Sequence, residues 1–108
     1  MTIFPMLLDA PTALARLQDG SATLVDVREH AEVARAAFDA PNVVQMPLSE
    51  FERRHRELPL DRELILACAT GARSFQAMQY LVHHGWRKVA NLQGGLAVWR
   101  THGLPTKH

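Results

Sequence analysis

The residues able to do chemistry together lie in one short run, CATGARS at 68–74. It opens on the only cysteine of the chain, Cys68, and four residues separate that cysteine from Arg73. By itself a single cysteine reads as a small buried hydrophobe. Three features of its surroundings point instead to a nucleophile. The stretch Ala69, Thr70, Gly71 and Ala72 has no bulky apolar side chain, so its backbone N–H groups can converge on a point above Cys68. A helical pattern begins near Ser74, and the unpaired amides of a helix start bring partial positive charge. Arg73 adds a full charge and a planar fork suited to an oxyanion. All three favour thiolate over thiol, so the Cys68 pKa is expected to be lowered. The run reads as an anion cradle with a nucleophile at its floor.

Such a loop needs rigid elements to hold it, and the flanking sequence supplies them. ELILA at 63–67 reads as a strand whose residues Leu64 to Ala67 run continuously apolar into Cys68. The helix after the loop is expected over 74–84, with Ala77, Met78, Leu81 and Val82 on one face and Gly85 as its stop. Upstream, Asp9 caps a helix carrying Pro11 in its first turn and Ala13, Leu14 and Leu17 as its stripe, ended by Gly20. TLVDV at 23–27 and NVVQM at 42–46 read as strands, with a helix over about 29–37 between them. Ser49 and Glu52 have capping-box spacing before a short helix bounded by Pro59. KVANL at 88–92 is a further strand, and GGLAVWRTHG a last helical piece. Alternating strands and helices predict an α/β domain, a parallel sheet with helices on both faces, spanning 1–108. In such sheets ligands bind at the carboxyl ends of the strands, which is where Cys68 stands.

Composition narrows the function classes. The chain has 108 residues, 47% apolar and 21% charged, with a formal net charge of +1. One domain is expected, with no pull toward nucleic acid or membrane. The N-terminal run MTIFPMLLDAPTALA has no Lys or Arg before its apolar part, and Pro5 and Asp9 interrupt it, so no leader peptide is expected. A single cysteine excludes an internal disulfide, and the expected location is the cytoplasm. Six histidines raise the question of metal. His83 and His84 are neighbours that point about 100° apart on a helix, and no ligand spacing completes a site, so neither metal nor cofactor is expected. ERRHRE at 52–57 reads as a solvated helix face, Trp86 and Trp99 as core or pocket wall, and Arg28 with Glu32 as a possible i,i+4 pair.

CATGARS resembles the active-site loop of the rhodanese family, whose pattern is C-x-x-G-x-R-S/T. LVDVREHAEV resembles that family's first signature, MPLSEF the segment after its next strand, and NLQGGLAVWRTHGLP its closing motif. Together, in this order, the four cover nearly the whole chain. The resemblance implies a single rhodanese-like domain and a sulfurtransferase of the thiosulfate-using kind. Cys68 would carry a sulfane sulfur as a persulfide. Arg73 would clamp the anion, and the N–H groups of Ala69, Thr70, Gly71, Ala72, Arg73 and Ser74 would form the cradle. Asp26 and Arg28 match the family's "DVR" and read as structural or supporting. The donor would be a small anion such as thiosulfate, and the acceptor a thiol, cyanide or a cysteine on a partner protein. Two departures stand out: FDAPN at 38–42 replaces the family's frequent Gly-His-Ile-Pro-Gly, and the loop carries a single charged side chain, Arg73. Two other readings stay open. Phosphatases and arsenate reductases on the same fold resemble this chain but have a cradle one residue longer. A non-catalytic interaction module on the same fold is the other.

Overall fold

The computed structural model describes residues 7–108. The part of the leader reading that rests on 1–6, Pro5 included, lies outside the described residues. The elements follow in the order β1 (Leu7–Leu8), α1 (Ala10–Gln18), β2 (Ala22–Asp26), α2 (His30–Arg35), β3 (Ala37–Phe38), β4 (Val43–Gln45) and α3 (Leu48–Arg54). After a 3₁₀ turn at His55–Glu57 come β5 (Glu63–Ala67), α4 (Ala72–His83), β6 (Val89–Leu92), α5 (Gly95–Thr101) and β7 (Thr106–Lys107).

Five strands form one sheet in the order β1-β6-β5-β2-β4, and every pairing in it is parallel. The strand bearing Cys68 at its end, β5, is central, between β6 and β2. Side chains of a strand alternate between faces, so each central strand feeds two cores. Ile65 and Ala67 join Leu17, Leu24, Leu92 and Trp99 on the α1–α5 side. Leu64, Leu66 and Cys68 join Phe51, Met78, Leu81 and Trp86 on the α3–α4 side. Leu64, Ile65 and Leu66 have no exposed surface, and burial of each contributes about 1.5–3 kcal/mol. The alternation therefore aims the sulfur of Cys68 at α4.

Leaving β2, the chain goes outward to β4 and then returns to the other side of β2 as β5. The crevice where strand order reverses lies at the carboxyl ends of β2 and β5, the usual ligand position in open α/β sheets. The register sets Asp26 beside Ala67, and the Val27 N–H donates to the Ala67 carbonyl at 2.9 Å. The DVR segment and the cysteine loop thus leave the sheet side by side.

Several local expectations are corrected. The Ser49–Glu52 capping box does not form: Pro47 takes the N-cap position of α3, and the Ser49 hydroxyl donates to Glu29 at 2.6 Å. The capping box of the chain is at α2, where Glu29 and Glu32 each reach back to the other's backbone. Arg28 and Glu32 do not pair, because each has a better partner elsewhere. Val82 is 51% exposed, off the buried stripe of Ala77, Met78 and Leu81. His55 is buried within the otherwise solvated 52–57 face, its Nδ1 within 2.8 Å of the Glu52 carbonyl. FDAPN contributes Phe38 to β3, which pairs antiparallel with β7. Phe38 packs edge-on against the fully buried Trp99, ring centroids 5.1 Å apart.

Candidate active site

Helix α4 begins at Ala72, two residues before the sequence suggests, because Gly71 turns the chain with φ 106°. Only glycine takes that conformation without steric cost. Arg73 and Ser74 consequently sit in the first helical turn, and Ser74 points back toward the cysteine. The Gly71 N–H donates to Cys68 Sγ at 3.0 Å, and the Ser74 hydroxyl lies 3.3 Å from the same sulfur. Cys68 is 1% exposed.

The loop faces its sulfur because something else holds its carbonyls. The N–H groups of Leu96 and Ala97, in the first turn of α5, donate to the carbonyls of Cys68 and Ala69 at 2.9 and 3.0 Å. Those carbonyls are turned toward α5, which leaves the loop amides free to face the sulfur. The contact is close enough that a Cβ on Gly95 would lie 2.4 Å from the Cys68 carbonyl oxygen. A glycine at 95 is thus a packing requirement of the cysteine loop, while a Cβ at Gly94 would meet the Val98 side chain.

A second layer orients Ser74. Asn91, buried on β6 beside Leu66, donates through Nδ2 to the Gly71 carbonyl at 3.0 Å. Its Oδ1 lies 2.5 Å from the Ser74 hydroxyl and accepts from it, so the one Ser74 proton goes either there or to the sulfur. Burial pushes the Cys68 thiol up, but the Ser74 hydroxyl and the amides of Ser74, Gly71 and Thr70 outweigh it, and the pKa falls below the ordinary thiol value. Neutral hydrogen-bond donors are the leading source of that lowering.

Arg73 stands differently from the expected open fork. Its two terminal nitrogens donate to the two carboxylate oxygens of Glu32 at 2.7 and 2.8 Å. The Arg73 hydrogen bonds hold Glu32 down to about 2, and the same pairing raises Arg73. A cation in the first turn of a helix is opposed by the macrodipole, and the Glu32 carboxylate offsets that. The Arg28 guanidinium is also spent: it grips Asp26 at 2.8–3.2 Å, donates to the Ala36 carbonyl at 2.9 Å, and lies over the Phe38 ring. Both members of that pair are buried, so DVR ties the end of β2 to β3.

A cleft of about 520 Å³ runs beside the loop, lined by Thr70, Gly71, Phe75, Gln76, Asn91 and Gln93 among others. Cys68 itself lies below the loop and does not line it. Of the residues singled out from sequence, Cys68, Thr70, Gly71 and Ser74 converge on the sulfur. Ala69 is held by α5, Ala72 opens α4, and Arg73 is paired to Glu32. Glu32, Asn91 and Gly95 were not singled out for the site. A polar residue inside the otherwise apolar strand VANL is the signal that marks Asn91. No group of three or more metal-ligating side chains occurs among the described residues, and no helix among them is long and apolar enough to cross a membrane.

The profile of the Rhodanese-like domain family matches residues 9–102. A sulfurtransferase of Allochromatium vinosum is 39% identical over 99 residues, covering 91% of this chain and 91% of that one. Among solved structures, the polysulfide-sulfur transferase homodimer of Wolinella succinogenes superposes with a TM-score of 0.83 at 27% identity, over 95% of this chain and 78% of the other. A rhodanese-related protein of Thermoplasma volcanium gives 0.82 at 26% identity, over 93% and 95%.

Proposed function

Because this chain belongs to the rhodanese-like domain family, we propose that it is a sulfurtransferase that carries a sulfane sulfur on Cys68. The observation that supports the assignment to Cys68 is the convergence of the Gly71 N–H and the Ser74 hydroxyl on its sulfur, at 3.0 and 3.3 Å. Donors fixed around a thiolate equally suit the persulfide anion that replaces it.

In the first half-reaction the Cys68 thiolate attacks the outer sulfur of the donor. A bond forms between Sγ and that sulfur, the donor's own S–S bond breaks, and its electron pair leaves with the donor residue. With thiosulfate the leaving group is sulfite; with an organic persulfide it is a thiolate. In the second half-reaction an external nucleophile, such as cyanide, a small thiol or a partner-protein cysteine, takes the outer sulfur and returns Cys68 to thiolate. The chain has no second cysteine, so resolution to an internal disulfide is closed. The loop amides hold the anion through both halves, and the Ser74 hydroxyl adds to them when its one proton is turned from Asn91 Oδ1 to the sulfur. A carrier with one free thiol works where thiols stay reduced, so the cytoplasm is its proposed location. Sulfur transfer to cyanide should be measurable with thiosulfate or a persulfide donor and should disappear in Cys68→Ser. Hydrolysis of aryl phosphates that disappears in the same variant, with no sulfur transfer, would replace this reading by the phosphatase one.

A further inference from the structure

We propose that Glu32 is a specificity-determining residue, which neutralises Arg73 and so directs the site toward an organic persulfide, R–S–SH or its monoanion, and away from the thiosulfate dianion. This rests on the sulfur-carrier reading of Cys68.

The charges around the loop lead there. The two terminal nitrogens of Arg73 each donate to Glu32, so its end-on fork, the geometry that would grip a sulfonate-like group, is occupied by a carboxylate, although Nε–H and the outer N–H groups stay outside that pairing. The carboxylate is itself fixed, because its Oε1 also accepts the Glu29 N–H at 3.1 Å in the α2 capping box. Glu32 stays ionised down to about pH 2, so at any physiological pH the pair sums to zero. The other nearby guanidinium, Arg28, is buried against Asp26. What lowers the Cys68 pKa against the opposing effect of burial is a set of neutral donors, the Ser74 hydroxyl and the loop amides, while Arg73 meets the thiolate only through its longer-range charge.

The cleft on the outer side of the cysteine loop agrees, although the sulfur itself does not line it. The side chains lining the adjoining cleft, among them Thr70, Phe75, Gln76, Gln79, Asn91 and Gln93, are all uncharged. Amides and an aromatic edge suit the peptide-like body of a thiol-derived donor. They offer nothing to balance two negative charges in a partly desolvated site. A persulfide brings at most one charge, on sulfurs that the amides can hold. The transfer is Cys68–S⁻ + R–S–SH → Cys68–S–SH + R–S⁻, with the electron pair of the broken S–S bond leaving on the thiolate.

The experiment compares kcat/KM for thiosulfate and for glutathione persulfide, with cyanide as acceptor, in wild type, Glu32→Gln, Glu32→Ala and Glu32→Gln/Arg73→Gln. Releasing Arg73 should raise the thiosulfate-to-persulfide ratio about tenfold in both single variants at low salt, and by less at high salt. Removing the freed cation in the double variant should return the ratio to the wild-type value, a reversal that a purely structural role of Glu32 would not produce. A ratio unchanged in Glu32→Gln and Glu32→Ala, or one that stays high in the double variant, overturns the role of Glu32 while leaving Cys68 as carrier. Absence of transfer from either donor in wild type overturns the carrier reading itself.

Discussion

The backbone N–H of Leu96 donates to the carbonyl of Cys68 at 2.9 Å, so the first turn of the last helix decides which way the cysteine loop faces. Nearly thirty positions of chain separate the two residues, yet the absence of a side chain at Gly95 lets their backbones come together. A side chain at Gly95 would collide with the Cys68 carbonyl at 2.4 Å and with the Ala69 carbonyl group. These atoms are backbone and cannot swing aside.

Gly95→Ala is therefore expected to destabilise the fold by about 1–3 kcal/mol and to push α5 off the loop. Chemical denaturation reads the first effect. The second appears as slower sulfur transfer and a Cys68 pKa that moves back toward an ordinary thiol. A variant with wild-type stability and wild-type thiol reactivity would contradict the clamp.

Ser74→Ala should raise the pKa of Cys68. The hydrogen bond it removes favours the thiolate over the thiol, so its loss moves the titration back toward that of an ordinary cysteine. The direction follows from the lowered native value: alkylation of the wild type is fast above its depressed pKa and falls below it, and the variant needs a higher pH for the same rate. Arg73→Gln should move the profile less than Ser74→Ala does, because the neutral donors dominate. Alkylation rate against pH with a neutral reagent checks both, and a larger shift for the Arg73 variant would reverse the account of the thiolate.

Asp26→Ala should be among the most damaging single changes in the chain. Asp26 and Arg28 are 1% and 2% exposed, and removing one partner leaves a buried guanidinium without its carboxylate, a loss of about 3–5 kcal/mol. Urea unfolding measures it. A loss below about 1 kcal/mol would show that Arg28 finds water or another acceptor.

Much of this arrangement is legible in the sequence wherever the determinant is local. The unbroken apolar run of β5 ends in Cys68 as its pattern says. Asp9 caps α1, accepting the Thr12 N–H at 2.8 Å. The family signatures give the fold and the sulfur-transfer chemistry. What the sequence does not reveal depends on residues far apart in it. Glu32 and Arg73 are 41 positions apart, and no spacing rule links them, so Arg73 reads as a free clamp until the two helices are set side by side. The early start of α4 depends on the positive φ of Gly71. Ser49 has a capping partner three residues away, but the tertiary contact with Glu29 wins. The short β3–β7 pair has too few residues to leave a periodic trace.

The central claim is that Cys68 takes up one sulfur atom and releases it only to an outside acceptor. Intact-mass spectrometry of protein treated with thiosulfate or glutathione persulfide, then freed of donor, tests it most directly. The account predicts a gain of one sulfur atom, confined to the peptide containing Cys68 and absent in Cys68→Ser. That gain should persist in the isolated protein and vanish on addition of cyanide or a thiol. A protein that gains no sulfur from either donor, or that keeps it against every acceptor, would contradict the carrier role and leave this domain as an interaction module.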